Sequence, residues 1–334
     1  MTAKSHTVAA SAGASPVAWT PPVKKSAGRL VHDFGIYGVL LGVVIAATIA
    51  YPGFLSWDSI NLLITQNAPL GIVAVGMTLV IIAGGFDLSV GAVYAAAGTI
   101  AAGISIHQSV LIGMVSGMAF GVLAGLVNGF IVAKLNINPL IATLGTAAVF
   151  SGFVLLVTNS QPYTVDKASF AYLGQSTLAG IPLPLLFVIA TFAIGWIVLN
   201  RTILGRQLLS VGGNREASRL AGIRTTVVVG GAYVVSGSLA AFAGVISASQ
   251  LGVGQGDAGT SLALAAIAIV VIGGTSLVGG EGSVIRTAVG LLIIASLNNL
   301  FFSLALDSNW QAITQGVVII AAVGFDQMTK KRSR

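Results

Sequence analysis

Long stretches of Ala, Leu, Ile, Val and Gly alternate with short polar punctuation along this chain. Apolar runs fall at about 35–55, 64–84, 88–106, 109–133, 138–158, 181–200, 226–249, 258–277, 282–303 and 308–326. Each is near the roughly 20 residues that carry a helix across a bilayer. Strict period-two alternation, the mark of a transmembrane barrel, is absent. The pattern predicts an all-α polytopic membrane protein with about ten transmembrane helices. Residues 1–34 form a polar lead rich in Ala, Ser and Pro. With no early apolar stretch they do not resemble a cleaved signal peptide, and a disordered cytoplasmic tail is expected. The membrane domain then spans 35–326, and 327–334 make a basic cytoplasmic tail.

Composition sharpens this reading. Of 334 residues, 55% are apolar and 7% charged, against about 25% charged in soluble domains. A water-soluble enzyme or binding module is excluded. The net charge of +7 does not mark a nucleic-acid binder, because the basic residues are few and scattered. With no cysteine, disulfides, thiolate metal sites and Cys nucleophiles are excluded. No G-x-x-x-x-G-K-[ST] phosphate loop occurs, so ATP hydrolysis by that route is excluded. No G-x-S-x-G elbow or His cluster suggests a hydrolase or a metal centre. Neither a catalytic site, a metal nor a cofactor is expected.

Orientation follows from counting. With the N-terminus in the cytoplasm and ten alternating spans, fifteen Lys and Arg lie inside and only Lys167 outside, as the positive-inside rule requires. Both termini are then cytoplasmic. Shifting the second half by 170 residues sets Asp87 on Asp257, Gly103 on Gly273 and Asn128 on Asn298. Spans two to five thus match spans seven to ten and start on opposite sides, an inverted repeat.

The inner segment 201–225 reads RTILGRQLLSVGGNREASRLAGIRT. Asn214 is placed to cap a short helix from Arg215, and Gly222 to end it in a left-handed conformation. Ala217, Leu220 and Ala221 share one face; Arg215 and Arg219 form another stripe. A helix this short is marginal alone and needs a surface, either lipid headgroups or a cytoplasmic partner.

Ionisable groups inside spans are costly and usually functional. Asp87 follows Gly84-Gly85, where a helix can break, and can accept hydrogen bonds from freed N–H groups at the next helix start. Direct substrate contact and an interfacial charge are the alternatives. Asp257 would play a similar role on the outer side. Uncharged side chains in or beside spans that could line a path or gate are Asn67, Asn128, Asn138, Asn298 and Gln311, with the Phe150 ring as an apolar face. For any one amide the competing role is an interhelical hydrogen bond, worth about 0.6–2 kcal/mol.

Glu216-Ala217-Ser218-x-x-x-Gly222 resembles the EAA-x-x-x-G loop of ABC importer permeases. GGFDLSVGAV at 84–93, NGFIVAKLNINPLIATLGT at 128–146, GGNREASRLAGI at 212–223 and VIGGTSLVGGEGS at 271–283 resemble the permeases of the ribose/xylose/arabinose class of bacterial importers. The resemblance runs from about 36 to 326. It implies two copies of the permease in the bacterial cytoplasmic (inner) membrane and a cytoplasmic sugar ABC ATPase with two nucleotide-binding domains. It also implies an extracytoplasmic sugar-binding protein. It assigns Asn214, Arg215, Glu216, Ala217, Arg219, Leu220 and Gly222 to ATPase coupling, and the outer loops 159–180, 250–257 and 304–308 to the binding protein. A secondary transporter, which leaves the 215–222 segment without a task, and a non-transporting membrane scaffold or receptor remain as alternative readings.

Overall fold

Helices form where the apolar runs are, and their ends are set by local side chains. The computed structural model describes residues 27–305, 309, 310, 313, 316, 317 and 320, with side chains from Gly35 onward. In chain order the helices are α1 Ala27–Ala50, α2 Trp57–Ile82, α3 Val90–His107, α4 Val110–Gly129, α5 Pro139–Thr158 and α6 Ala168–Gln175. They continue as α7 Leu183–Arg201, α8 Ile203–Gly213, α9 Arg215–Leu220, α10 Thr225–Leu251, α11 Leu262–Ile272 and α12 Val284–Ser303. A π-helical turn, Phe130–Lys134, extends α4. Four two-residue strands complete the described elements: β1 Tyr163–Thr164, β2 Thr177–Leu178, β3 Ile181–Pro182 and β4 Val253–Gly254. β1 pairs antiparallel with β4, and β2 with β3.

Side chains of Ser56, Ser109, Asn138, Thr202, Asn214 and Ser283 accept from N–H groups of the first turn of the helices they precede. Each satisfies a donor that would otherwise be orphaned. This matters most in a membrane, where no solvent replaces the missing partner.

Seven helices among the described residues are long and apolar enough to cross a membrane: α2, α3, α4 with its π turn, α5, α7, α10 and α12. The chain is a multi-pass, mostly helical membrane protein. Helix α11 is a shorter apolar helix, and Gly35–Ala50 is the apolar part of the 24-residue α1. The run at 258–277 was expected to span as one helix, yet only Leu262–Ile272 is helical. At 1.5 Å per residue that is about 16 Å, half a hydrocarbon core. Non-helical backbone at 252–261, which includes β4, and at 273–283 flanks it. The apolar average concealed this break because Gly273-Gly274 and the following turn are themselves uncharged. Helix α1 begins at Ala27, within the segment expected as tail. The expected run at 308–326 lies mostly outside the described residues, as do 1–26 and 327–334.

Helix α2 is the axis of the body that begins at Ile36. Of its apolar stretch 83% is buried, against 22% for α5, which is peripheral. Helix α10 packs on α2, α3 and α4, and α2 packs also on α7, α11 and α12. Small residues let these backbones approach, as in membrane bundles generally. A Cβ at Gly121 would strike Ala241 and the Gly237 carbonyl, and one at Gly98 the Gly244 carbonyl. Gly91 and Gly259 face each other so closely that a side chain on either would meet the other's carbonyl.

Candidate functional site

Helix α2 stops by backbone hydrogen bonding. Gly84, with φ +82°, donates to the Ile81 carbonyl at 2.9 Å, and Gly85 to that of Val80 at 2.9 Å. Glycine suits the left-handed position this motif requires. The chain then crosses through Phe86 and Asp87 to Ser89 and re-enters helix at Val90. This crossing is buried, so its polar groups must find partners within the protein.

Asp87, 1% exposed, is the centre of that network. Its Oδ1 accepts from the Ser89 N–H at 3.1 Å and the Ser89 hydroxyl at 2.6 Å. Its Oδ2 accepts from the Ser236 hydroxyl of α10 at 2.8 Å. Asn128 of α4 donates to Ser89 Oγ at 2.7 Å and accepts from the Thr146 hydroxyl of α5 at 2.7 Å. Leu88 N–H donates to Thr143 Oγ1 at 3.1 Å, and Tyr233 OH donates to the Phe86 carbonyl at 3.0 Å. One carboxylate thereby ties the α2–α3 break to α4, α5 and α10.

Asp257, expected to act similarly, is exposed. Its backbone carbonyl accepts from Thr260 within a tight turn. Among the described residues, no side-chain hydrogen bond reaches its carboxylate, so the expected likeness to Asp87 does not extend to its hydrogen bonding.

The inner segment at 214–222 folds as its ends predict. Asn214 Oδ1 accepts from the Ala217 N–H at 2.9 Å. Gly222, with φ +85°, donates to Arg219 O, and Ile223 N–H to Ser218 O, both at 3.0 Å. The side chain of α9 turned into the protein is Ser218. Ala217 and Ala221 are exposed, and Leu220 is 74% exposed. Arg215 turns back to the π turn, donating to Ala133 O at 3.1 Å. Arg219 pairs with Glu216 at 2.6 Å. The Arg219 hydrogen bond and charge hold the Glu216 carboxyl below its usual range and raise the Arg219 guanidinium in turn. The two arginines expected to share a stripe therefore have separate tasks.

Helix α8 brings this segment onto the α2 break. Gly280 N–H donates to Ile82 O at 2.9 Å, and Gly212 lies against the same carbonyl with no room for a Cβ. A cleft of about 290 Å³ opens here, lined by Gly84, Asn138, Pro139, Gly212, Asn214 and Arg215. Asn138 caps α5 through Leu140 N–H at 2.9 Å.

The remaining candidates are dispersed. Asn298 Nδ2 reaches Asn67 Oδ1 at 3.4 Å, while Asn67 donates to Leu63 O at 2.8 Å. Phe150 meets Phe120 edge to face, with centroids 5.6 Å apart. Gln311 lies outside the described residues.

At the opposite end of α3, Lys167 donates to the carbonyls of Ser105, Ile106 and Gln108. It satisfies a helix C-terminus with a cation. Ser249 accepts from Gly174 N–H and donates to Phe170 O, fixing α6 to α10. The β1–β4 pair joins two of the outer loops singled out in the sequence, 159–180 and 250–257. Sequence reasoning missed Ser89, Thr143, Thr146, Ser236 and Tyr233. Their one available signal was polarity beside the break or on apolar helices.

A bundle of membrane-length helices with broken segments and an exposed, capped short helix is the architecture of a transport component, and residues 59–323 match the family described as branched-chain amino acid transport system / permease component. The chain belongs to that family: it is a permease component of a transport system, not an enzyme. Among its relatives, the ribose import permease protein RbsC of Haemophilus influenzae is 39% identical over 91% of this chain and 96% of its own. RbsC of Bacillus subtilis is 38% identical over 90% and 96%. The L-arabinose transport system permease protein AraH of Escherichia coli is 36% identical over 94% and 96%. No solved structure matches.

Proposed function

We propose that this chain is the membrane-spanning permease of an ATP-driven importer for a monosaccharide or related small polyol. The observation that carries this reading is α9, a self-capped helix of six residues that leaves Ala217, Leu220 and Ala221 uncovered. A helix this short does not stand alone; an ATPase groove supplies the missing surface. Glu216 and Arg219 rim that surface, while Asn214 and Gly222 bound the helix and Arg215 fastens it to the π turn. The substrate class rests on the ribose and arabinose permeases that the chain resembles along nearly its whole length.

Ten spans, an inverted repeat and cytoplasmic termini in the inner membrane complete the proposal. The Lys and Arg count supports the orientation. The repeat is supported by paired contacts: α3 with α10 beside α11 with α2, α4 with α10 beside α12 with α2, and α3 with α4 beside α11 with α12. The mutual approach of Gly91 and Gly259 fits a pseudo-twofold axis passing between them. Two copies would frame the path, and an extracytoplasmic binding protein would deliver substrate to the loops joined by β1 and β4. Motion of α9 would reach the α2–α3 break through the Gly212–Ile82–Gly280 contact. Substrate then moves because nucleotide biases the two access states by differential affinity. Asp87 and Asn128 serve as the fastening of a gating segment, and Asn67, Asn138, Phe150, Asn298 and Gln311 as path or gate candidates.

The test is Gly222→Val in cells expressing the whole importer, with uptake of labelled ribose, arabinose and xylose as readout. Open space surrounds Gly222, so the lesion is confined to the left-handed backbone, about 1–2 kcal/mol. Uptake should fall about tenfold with normal membrane insertion. Full uptake would refute the docking role.

A further inference from the structure

A second cavity lies on the flank of the bundle beside α9, and apart from Gly222 its lining belongs neither to the break network nor to α9. Its volume is about 400 Å³, within the roughly 300–1,000 Å³ range of small-molecule sites. Its walls are apolar side chains of α2, α7, α8 and α10, among them Leu79, Val198, Leu208 and Val228. Its polar lining is confined to Gln207 of α8 and Arg224, which sits at the first turn of α10. Gly231 opens the middle of the wall, since a Cβ there would meet nothing within 4 Å.

Position along α10 gives the groove a direction. It runs from Arg224 to Val235, which at 1.5 Å per residue is about 16 Å. That is about the depth of one leaflet's hydrocarbon, half of a roughly 30 Å core. On its outer side Val227 is 66% exposed and Leu204 59% exposed, so the groove is open to whatever solvates the bundle. Its charged end is marked by further interfacial groups on α7. Arg201 lies 5.4 Å from the centre of the Trp196 ring, and Trp and Arg are residues that anchor helices at headgroup level. Among the described residues, no carboxylate pairs with Arg224.

We propose that this groove holds one anionic phospholipid, with an acyl chain along Leu79, Val228 and Gly231 and the phosphate on Arg224, assisted by Gln207. The apolar length selects a lipid over a free anion, and Arg224, the one cation lining the groove among the described residues, selects an acidic headgroup. Because Gly222 also lines the groove, the bound lipid would be in contact with the end of the coupling helix. The inference goes beyond import and does not depend on the identity of the sugar.

The test is native mass spectrometry of the purified permease, titrated with dioleoyl phosphatidylglycerol or dioleoyl phosphatidylcholine. The parent chain should retain phosphatidylglycerol about fivefold more tightly, the effect of one basic residue at a membrane surface. Arg224→Gln should erase the preference and keep residual retention of both lipids. Gly231→Leu, which fills open space, should lower retention of both by about fivefold, with elution and melting unchanged. Excess inorganic phosphate should leave phosphatidylglycerol bound. Equal retention of the two lipids by the parent, or variants that bind phosphatidylglycerol as the parent does, would overturn the proposal. Displacement by phosphate would reduce the site to an anion contact, and lipid on monomers alone would assign the groove to an interface between copies. Both outcomes would also overturn it.

Discussion

The α2–α3 break and the α10–α11 connection are the two segments that the 170-residue shift equates, and they are built differently. The first buries a carboxylate under donors from its own strand of chain and from α10, with α4 and α5 held through Ser89 and the backbone of Phe86 and Leu88. The second leaves Asp257 exposed in a turn closed by Thr260. Equal letters at equal offsets therefore do not make equal sites. What separates them is the neighbourhood: the first aspartate is buried in a network that reaches α4, α5 and α10, and the second is exposed. Only the first can pass a displacement of backbone to several helices at once.

Alanine at the two aspartates separates the segments most sharply. Asp87→Ala strands Ser89 and Ser236 hydroxyls in a buried space, costing about 3 kcal/mol, while Asp257→Ala stays within about 0.5 kcal/mol. Thermal unfolding of the two purified variants checks this, and equal melting would dissolve the distinction. Removing one donor is milder. Ser236→Ala should cost about 1 kcal/mol and slow uptake, whereas Thr260→Ala should leave uptake at the parent's rate in the same assay.

The smallest effect concerns α9, outside both segments. The Glu216 carboxyl titrates below its usual range because of Arg219. Its contribution to the helix is therefore complete above the ordinary carboxylate range and disappears as pH falls through the lowered value. Hydrogen exchange of 217–221, corrected for intrinsic rates, should show protection that is flat near neutrality and declines in acid. Glu216→Gln should remove that decline. A decline that persists in the variant would assign it to another group.

Much of this was legible in the sequence because local rules govern it. Asn214 and Gly222 bound α9 since a side-chain cap and a left-handed terminus depend on few residues. Gly84-Gly85 announced the α2 stop for the same reason. Asp87 was conspicuous as a charge in an apolar context. The network around it was not: hydroxyls such as Thr143, Thr146 and Ser236 resemble those that bond only their own helix, as Thr158 and Ser238 do, and Thr143 and Thr146 make such bonds as well. Which of them turn inward is decided by packing between α4, α5 and α10. The short α11 was hidden because hydropathy measures apolarity and not continuity of hydrogen bonding. Asn128 read as a path amide, yet its amide is spent on Ser89 and Thr146, a role that only the fold displays.

The most direct test of the central claim is uphill uptake of labelled ribose and arabinose into vesicles containing the purified chain. It should be measured with and without an ATP-hydrolysing subunit and a sugar-binding protein. The account predicts accumulation only when both are present and ATP is supplied, and its loss in Leu220→Asp, which charges the exposed face of α9. Accumulation by the chain alone, driven by an ion gradient, would contradict it.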